Sequence, residues 1–197
     1  MLENGKHLKN SKHVLANSTM KEIYLRKFDI DKDLPFFHKV HSDAKSMQFY
    51  GMNEFKTLEE SRNLMNSYIE SEVGNKSMHR VICDTDSGKY LGEIGLFNIN
   101  TSHHRANAYC ILMPETRKQG ISISASSLFY REAFAKLHLN RVQALVDSRN
   151  INASKSLVGI GFNYEGKLIE YEYFDGQYID IEVFALTKKR FFELYGV

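Results

Sequence analysis

The sequence predicts an α+β domain, with a mixed, mostly antiparallel central sheet, one parallel strand pair and flanking helices. Three observations carry that prediction. Apolar and polar residues alternate in successive runs from His79 to Met113, broken by turn signals at Asp86-Ser-Gly88 and Thr101–His104, which reads as an antiparallel meander. The last run stops at Pro114, and a helical pattern from Ile121 to Leu137 intervenes before the next strand. That crossover makes the strands on either side of it parallel. Near the C-terminus, Asp175-Gly176 separates two further strand patterns, a hairpin signal.

The elements follow in order. Residues 1–20 are a polar tract rich in Lys, Asn, Ser and His, with too little apolar surface to offset chain entropy, so a flexible arm is expected there and a single domain over 21–197. Glu22–Phe28 alternates as a first strand. Asp31–Asp33 offers an N-cap for a short helix from Leu34, with Pro35 in its first turn. Ser46–Phe55 is aromatic and irregular around Gly51. Thr57-Leu-Glu-Glu60 is a capping-box pattern opening a helix to about Ser71. The meander strands are His79–Asp84, Tyr90–Ile99 and Arg105–Met113. After the long helix come a strand at Asn140–Asp147, a short helix at about Asn152–Val158 ended by Gly159–Gly161, the hairpin Phe162–Phe174 and Tyr178–Leu186, and a last helix at Lys188–Leu194.

Composition excludes several classes. At 197 residues the chain buries a core without staples, and its 43% apolar and 25% charged residues are ordinary for a globular protein. Lys6, Lys9, Lys12 and Lys21 against Glu3 contribute +3 to a net charge of +2, leaving the remainder near −1 and no basic stripe for nucleic acid. No apolar run is long enough for a bilayer and the N-terminus lacks the apolar stretch of a signal peptide, so no membrane partner is expected. Cys83 and Cys110 stand singly in apolar runs, as reduced thiols of a cytoplasmic protein do. His7 and His13 lack ligand spacing, and no metal is expected.

The chemistry concentrates at Arg117-Lys118-Gln119-Gly120-Ile121-Ser122. A strand runs into this stretch and a helix runs out of it, so the first amides of the helix face outward at the positive end of its dipole, ready for an anion. Gly120 permits close approach where a Cβ would intrude.

In this setting the stretch resembles the Arg/Gln-x-x-Gly-x-Gly/Ala motif of the GCN5-related N-acetyltransferase (GNAT) superfamily. Two more matches follow in the same order. Leu139-Asn-Arg141-Val-Gln-Ala-Leu-Val leads to Asn150 and Gly161-Phe162, and Tyr164-Glu165-Gly166-Lys167 is matched with Asp180 on the last strand. Together they resemble the RimJ/RimL-like branch over nearly the whole chain beyond the arm. The resemblance implies an acetyl-CoA-dependent transfer to a primary amine, either a protein or peptide N-terminus or a small amine, with CoA as product. Its two parallel strands would splay around the pantetheine, which would pair with the main chain at Ile111, Leu112 and Met113. Arg117, Lys118, Gln119, Gly120, Ile121 and Ser122 would hold the pyrophosphate. Asn150 would contact pantetheine, although an Asn before a helix also serves as a cap, and Asn152 is equally placed for either part.

The chain departs from the family in its catalytic positions. The strand position at which many relatives carry a glutamate is Asn107, the helix tyrosine falls on Leu157 or Val158, and the RimL-like serine falls on Ala153 with Ser154 beside it. Glu93, Tyr109 and Ser154 remain as catalytic candidates, with His103 and His104 as turn histidines and Cys110 as an unactivated thiol. Ordered water is a further route for removing the amine proton. The departures keep a second reading open, a non-catalytic acyl-CoA-binding or interaction module on the same fold, and a longer acyl group is a third. Acceptor recognition is expected from Met47–Phe55, the first helices and the hairpin at Asp175-Gly176, where Phe49, Tyr50 and Tyr173 line a cleft or belong to the core. Monomer and homodimer are both compatible with the sequence.

Overall fold

A computed structural model describes residues 21–196; the arm predicted at 1–20 lies outside the described residues. Seven strands form one sheet in the order β1-β2-β3-β4-β5-β7-β6, where β1 is Ile23–Arg26, β2 Met78–Asp84, β3 Tyr90–Asn100, β4 Arg105–Leu112, β5 Arg141–Asp147, β6 Asn163–Phe174 and β7 Gln177–Thr187. Every neighbouring pair is antiparallel except β4 and β5, which are parallel as the crossover requires. The α+β class with a mixed, mostly antiparallel sheet is therefore what the chain adopts.

The helices divide between the two faces. The helices α4 (Ile121–Lys136), α5 (Ile151–Ile160) and α6 (Lys188–Tyr195) cover one face. Phe129, Phe134 and Phe191 are fully buried there with Ile94, Leu96 and Val142. Each such ring stabilises the fold by about 1.5–3 kcal/mol. The other face carries α1 (Ile30–His41), α2 (Ala44–Met47) and α3 (Leu58–Val73), seated on Val81, Ile111 and Met113, with Phe37 of α1 and Met65 of α3 buried in one cluster between them.

The capping box forms as predicted, with the Glu60 amide donating to Thr57 Oγ1 and the Thr57 amide donating to Glu60. The start of α1 differs. Asp29 is the cap, accepting from the Lys32 amide, while Asp33 is 1% exposed and receives both guanidinium nitrogens of Arg26 at 2.6 and 2.7 Å. The long-range ion pair claims Asp33, the helix begins earlier, and Pro35 falls inside it rather than in its first turn. Within the stretch expected to be irregular, Asp43 accepts from both the amide and the hydroxyl of Ser46 and so nucleates α2. Helix α5 runs through Gly159 and ends only at the left-handed Gly161.

Candidate functional site

The site begins as a defect in the sheet. β4 and β5 pair only from Arg105 to Asn107 against Arg141 to Gln143. β4 then continues to Leu112 and β5 to Asp147 without facing ladder bonds, leaving a gap that widens toward the start of α4. On its other side β4 stays fully paired with β3 up to Gly92–Leu112. Gly92 keeps this contact close: a Cβ there would lie 2.3 Å from the Ile111 carbonyl oxygen.

Alternation decides which backbone groups face the gap. The Met113 amide donates to Leu91 O at 2.9 Å, so Met113 and, two residues back, Ile111 turn toward β3. Leu112 and Cys110 turn toward the gap. Of the Ile111–Met113 stretch expected to meet pantetheine, only Leu112 presents its backbone there; Cys110 is the second such residue, and the sequence reading did not place it. The two gap-side carbonyls are held by side chains. Tyr50 Oη donates to Cys110 O at 2.9 Å, and the Arg117 guanidinium donates to Leu112 O at 3.1 and 3.2 Å.

At the wide end of the gap lies the anion loop. A 3-10 turn at Pro114–Thr116 is fixed by Thr116 Oγ1, which bonds Leu91 O and Met113 O. The chain then passes through two left-handed residues, Lys118 (φ 63°) and Gly120 (φ 74°), before α4 begins. The Gly120 carbonyl accepts from Ile123 and Ser124, whereas the amides of residues 118–122 meet no acceptor among the described residues. Successive unspent amides in a left-handed loop at a helix N-terminus form a concave anion receptor.

Side chains of the loop behave less uniformly. Arg117 was expected to add charge to the anion site; its guanidinium instead turns inward to Leu112 O and to Ser46 Oγ, 2.6 Å away on α2. Gln119 donates to Glu115 O, and Ser122 Oγ meets Ser156 Oγ of α5 at 3.0 Å. Ile121 is buried and anchors α4 in the core. Lys39 pairs with Glu115 at 3.0 Å, so α1 and α2 are stitched to the anion loop at two points.

On the far side of the gap is a cavity of about 600 Å³ lined by Met47, Phe49, Met52, Asn53, Arg149, Asp175 and their neighbours. The Met47–Phe55 segment and the Asp175-Gly176 hairpin, which the sequence reading named for acceptor recognition, thus form its walls. Arg149 is held by both carboxylate oxygens of Asp147, and Glu54 pairs with Lys56. Tyr50 stands at the boundary between this cavity and the gap.

The catalytic candidates are dispersed. Glu93 is fully buried beneath α1, accepting from Tyr90 Oη at 3.3 Å and lying 3.0 Å from His41 Nε2. It neither lines an open cleft nor faces solvent. His41 is packed between Phe37 and Phe55, and its Nδ1 is buried with no partner among the described residues. Tyr109 lies on the α3 face, where its hydroxyl meets His79 Nδ1 at 2.9 Å, and burial pushes its phenol well above the ordinary range. Ser154, on α5 and separate from both, donates to Glu182 at 2.6 Å. Asn150 caps α5 by accepting from the Ala153 amide at 3.1 Å, the alternative that its place before a helix allowed. His103 and His104 sit in the exposed β3–β4 turn. Burial, followed by the charge of Glu93, pushes the Cys110 thiol up to about 12. His41 carried no sequence signal, because only the packing of α1 on β3 brings it to Glu93.

Comparison with known proteins finds a family match and several relatives. The family model for the acetyltransferase (GNAT) domain matches residues 22–163. Spermidine N(1)-acetyltransferase of Escherichia coli (strain K12) is 27% identical over 147 residues, covering 75% of this chain and 76% of that protein. The uncharacterized N-acetyltransferase YoaA of Bacillus subtilis is 24% identical over 160 residues, 81% of this chain and 90% of its own. Among solved structures, spermidine N-acetyltransferase from Vibrio cholerae in complex with CoA and spermine superposes with a TM-score of 0.76 at 22% identity, covering 86% of this chain and 97% of that one.

Proposed function

Because the chain belongs to the acetyltransferase (GNAT) family and is an N-acetyltransferase, we propose that it moves the acetyl group of acetyl-CoA to a primary amine of a small polycationic compound. The single observation that carries the donor half is the run of unspent amides at 118–122, beside a gap in which β4 has lost its partner strand. The pyrophosphate of the donor would take those amides, with Lys118 nearby. The extended arm would lie along β4, pairing with Cys110 and Leu112 in place of β5. Their gap-side amides would polarise the thioester carbonyl as the amine attacks. Glu93, joined to His41 and lining no open cleft, is the proposed sink for the amine proton through ordered water. Tyr109 and Ser154 are secondary candidates, since each hydroxyl already has a partner.

For the acceptor, support comes from relatives named spermidine acetyltransferases and from a cavity with Glu54, Asp175 and three amide side chains in its wall. The matches at Arg117–Ser122, Asn150 and Tyr164–Lys167 favour a second reading, the RimJ/RimL-like branch with a peptide α-amine as acceptor. The single domain over 21–197 and a cytoplasmic site of action belong to the same proposal. No described helix is long and apolar enough to cross a membrane. Thiol release from acetyl-CoA, measured with spermidine, simple monoamines and N-terminal peptides, tests it. Turnover with polyamines supports the first acceptor class and turnover with peptides alone selects the second. Tight CoA binding without turnover on any amine would refute catalysis and leave a binding module.

A further inference from the structure

A departing thiolate needs a proton, and the position at which the resembled family carries a tyrosine on the equivalent of α5 is here Leu157 or Val158, neither of which has a proton to give. The gap itself indicates where a replacement must stand. β4 and β5 close together at Asn107–Gln143 and part toward Leu112. A donor anchored at 118–122 runs along β4 toward the closed end. Its thioester would lie between Leu112 and the point where the strands rejoin at Asn107, a stretch of β4 centred near Cys110.

Most of the described hydroxyls near this stretch are turned away or spent, and Tyr130 lies buried among the core rings on the α4 face. Tyr109 Oη is turned onto the α3 face against His79. Ser122 and Ser156 bond each other, and Ser154 is spent on Glu182. Tyr50 differs from all of these. Its hydroxyl reaches into the gap and its hydrogen bond goes to Cys110 O, a carbonyl that the arm of the donor would claim. The turn carrying it is built for that reach, since the Tyr50 amide donates to Met47 O and Gly51 follows in the left-handed region. Its neighbours Met47, Gln48 and Phe49 line the acceptor cavity, so the phenol stands where donor and acceptor meet.

Resting on the acetyl-CoA reading, the geometry points to Tyr50 as the acid of the reaction, a tyrosine supplied by the α2–α3 connection in place of the one absent from α5. The amine nitrogen bonds to the acetyl carbon, the carbon–sulfur bond breaks, and the sulfur takes the Tyr50 proton, leaving CoA as the free thiol. The phenolate is then reprotonated by the proton the nitrogen has lost, so the net products are the amide and CoA. Tyr50 is 37% exposed, and its phenol, like any ordinary one, is protonated at neutral pH and so holds a proton to give.

The test is Tyr50→Phe, which keeps the ring and removes the proton. Turnover should fall about 100-fold, while CoA affinity by calorimetry and the KM values for acetyl-CoA and amine stay within about twofold. 3-Fluorotyrosine at position 50, which retains a dissociable hydroxyl, should restore turnover. An equally fast Tyr50→Phe variant overturns the assignment, as does a loss expressed wholly in affinity or KM. Wild-type protein that binds no CoA overturns the acetyl-CoA reading itself, whereas a turning-over wild type with an unaffected variant overturns only Tyr50.

Discussion

Replacing Gly120 by Asp sets a negative charge among the unspent amides of the anion loop, at a residue whose φ of 74° suits glycine. The backbone cost is small. An Asp side chain in the left-handed region costs about 1 kcal/mol, which lowers the melting temperature of a chain this size by roughly 2–4 °C. The binding cost is larger. At ~5 Å and an effective dielectric constant of ~20, each unit of phosphate charge is repelled by about 3 kcal/mol. That corresponds to a loss of about 100-fold or more in CoA affinity. Gly120→Asn separates the two effects, since Asn tolerates the same backbone and carries no charge; its affinity should fall by about tenfold or less, the value of one displaced hydrogen bond. Calorimetric titration with CoA and thermal unfolding of both variants give the answer. Affinities for Asp and Asn that are equal and close to wild type would refute the phosphate assignment.

Other expectations concern the frame around the loop. Arg117→Gln removes the ties to Ser46 and Leu112 O. It should cost about 1–3 kcal/mol in urea unfolding while CoA affinity stays within about threefold, because the guanidinium does not face the amides; a phosphate-binding Arg117 would instead lose affinity more than stability. Gly92→Ala drives a methyl group into the Ile111 carbonyl oxygen, 2.3 Å from its position. Overpacking should lower stability by about 1–3 kcal/mol and weaken CoA binding by shifting β4, and an unchanged affinity would show that β4 does not frame the donor. His79 is pushed down to about 4 by burial and then by Arg80. The unfolded chain therefore binds the extra proton first, so stability is full above the ordinary histidine value of ~6.5 and is lost as pH falls toward 4, by about 3 kcal/mol in all. Urea titrations from pH 7 to pH 4 should show that slope, and His79→Asn should flatten it; an equally steep decline in the variant would place the proton uptake elsewhere.

Much of the fold is legible because it is local. The capping box at Thr57 and Glu60, the hairpin turns and the glycine at 120 act on backbone groups within a few residues, so composition and spacing announce them. The parallel pair follows from a crossover helix, which is also written along the chain. Errors arose where a distant partner outbid a local signal. Asp33 looked like part of a cap and is the anchor for Arg26. Arg117 looked like a phosphate ligand and is the bolt between α2 and β4. Glu93 stands as a catalytic candidate by residue type and is enclosed with His41 and Tyr90.

The sequence by itself determined that a helix would begin just after Gly120, following a β-meander, with its first amides left for an anion. Backbone amides at a helix start need no distant residue to present them. The tertiary structure alone decided which side chains gather about the gap. Tyr50, His41 and the walls of the cavity come from segments far from β4 in sequence, and only packing α1 and α2 across the sheet brings them to it. Side-chain direction over such distances is set by burial and ion pairing summed across the whole core.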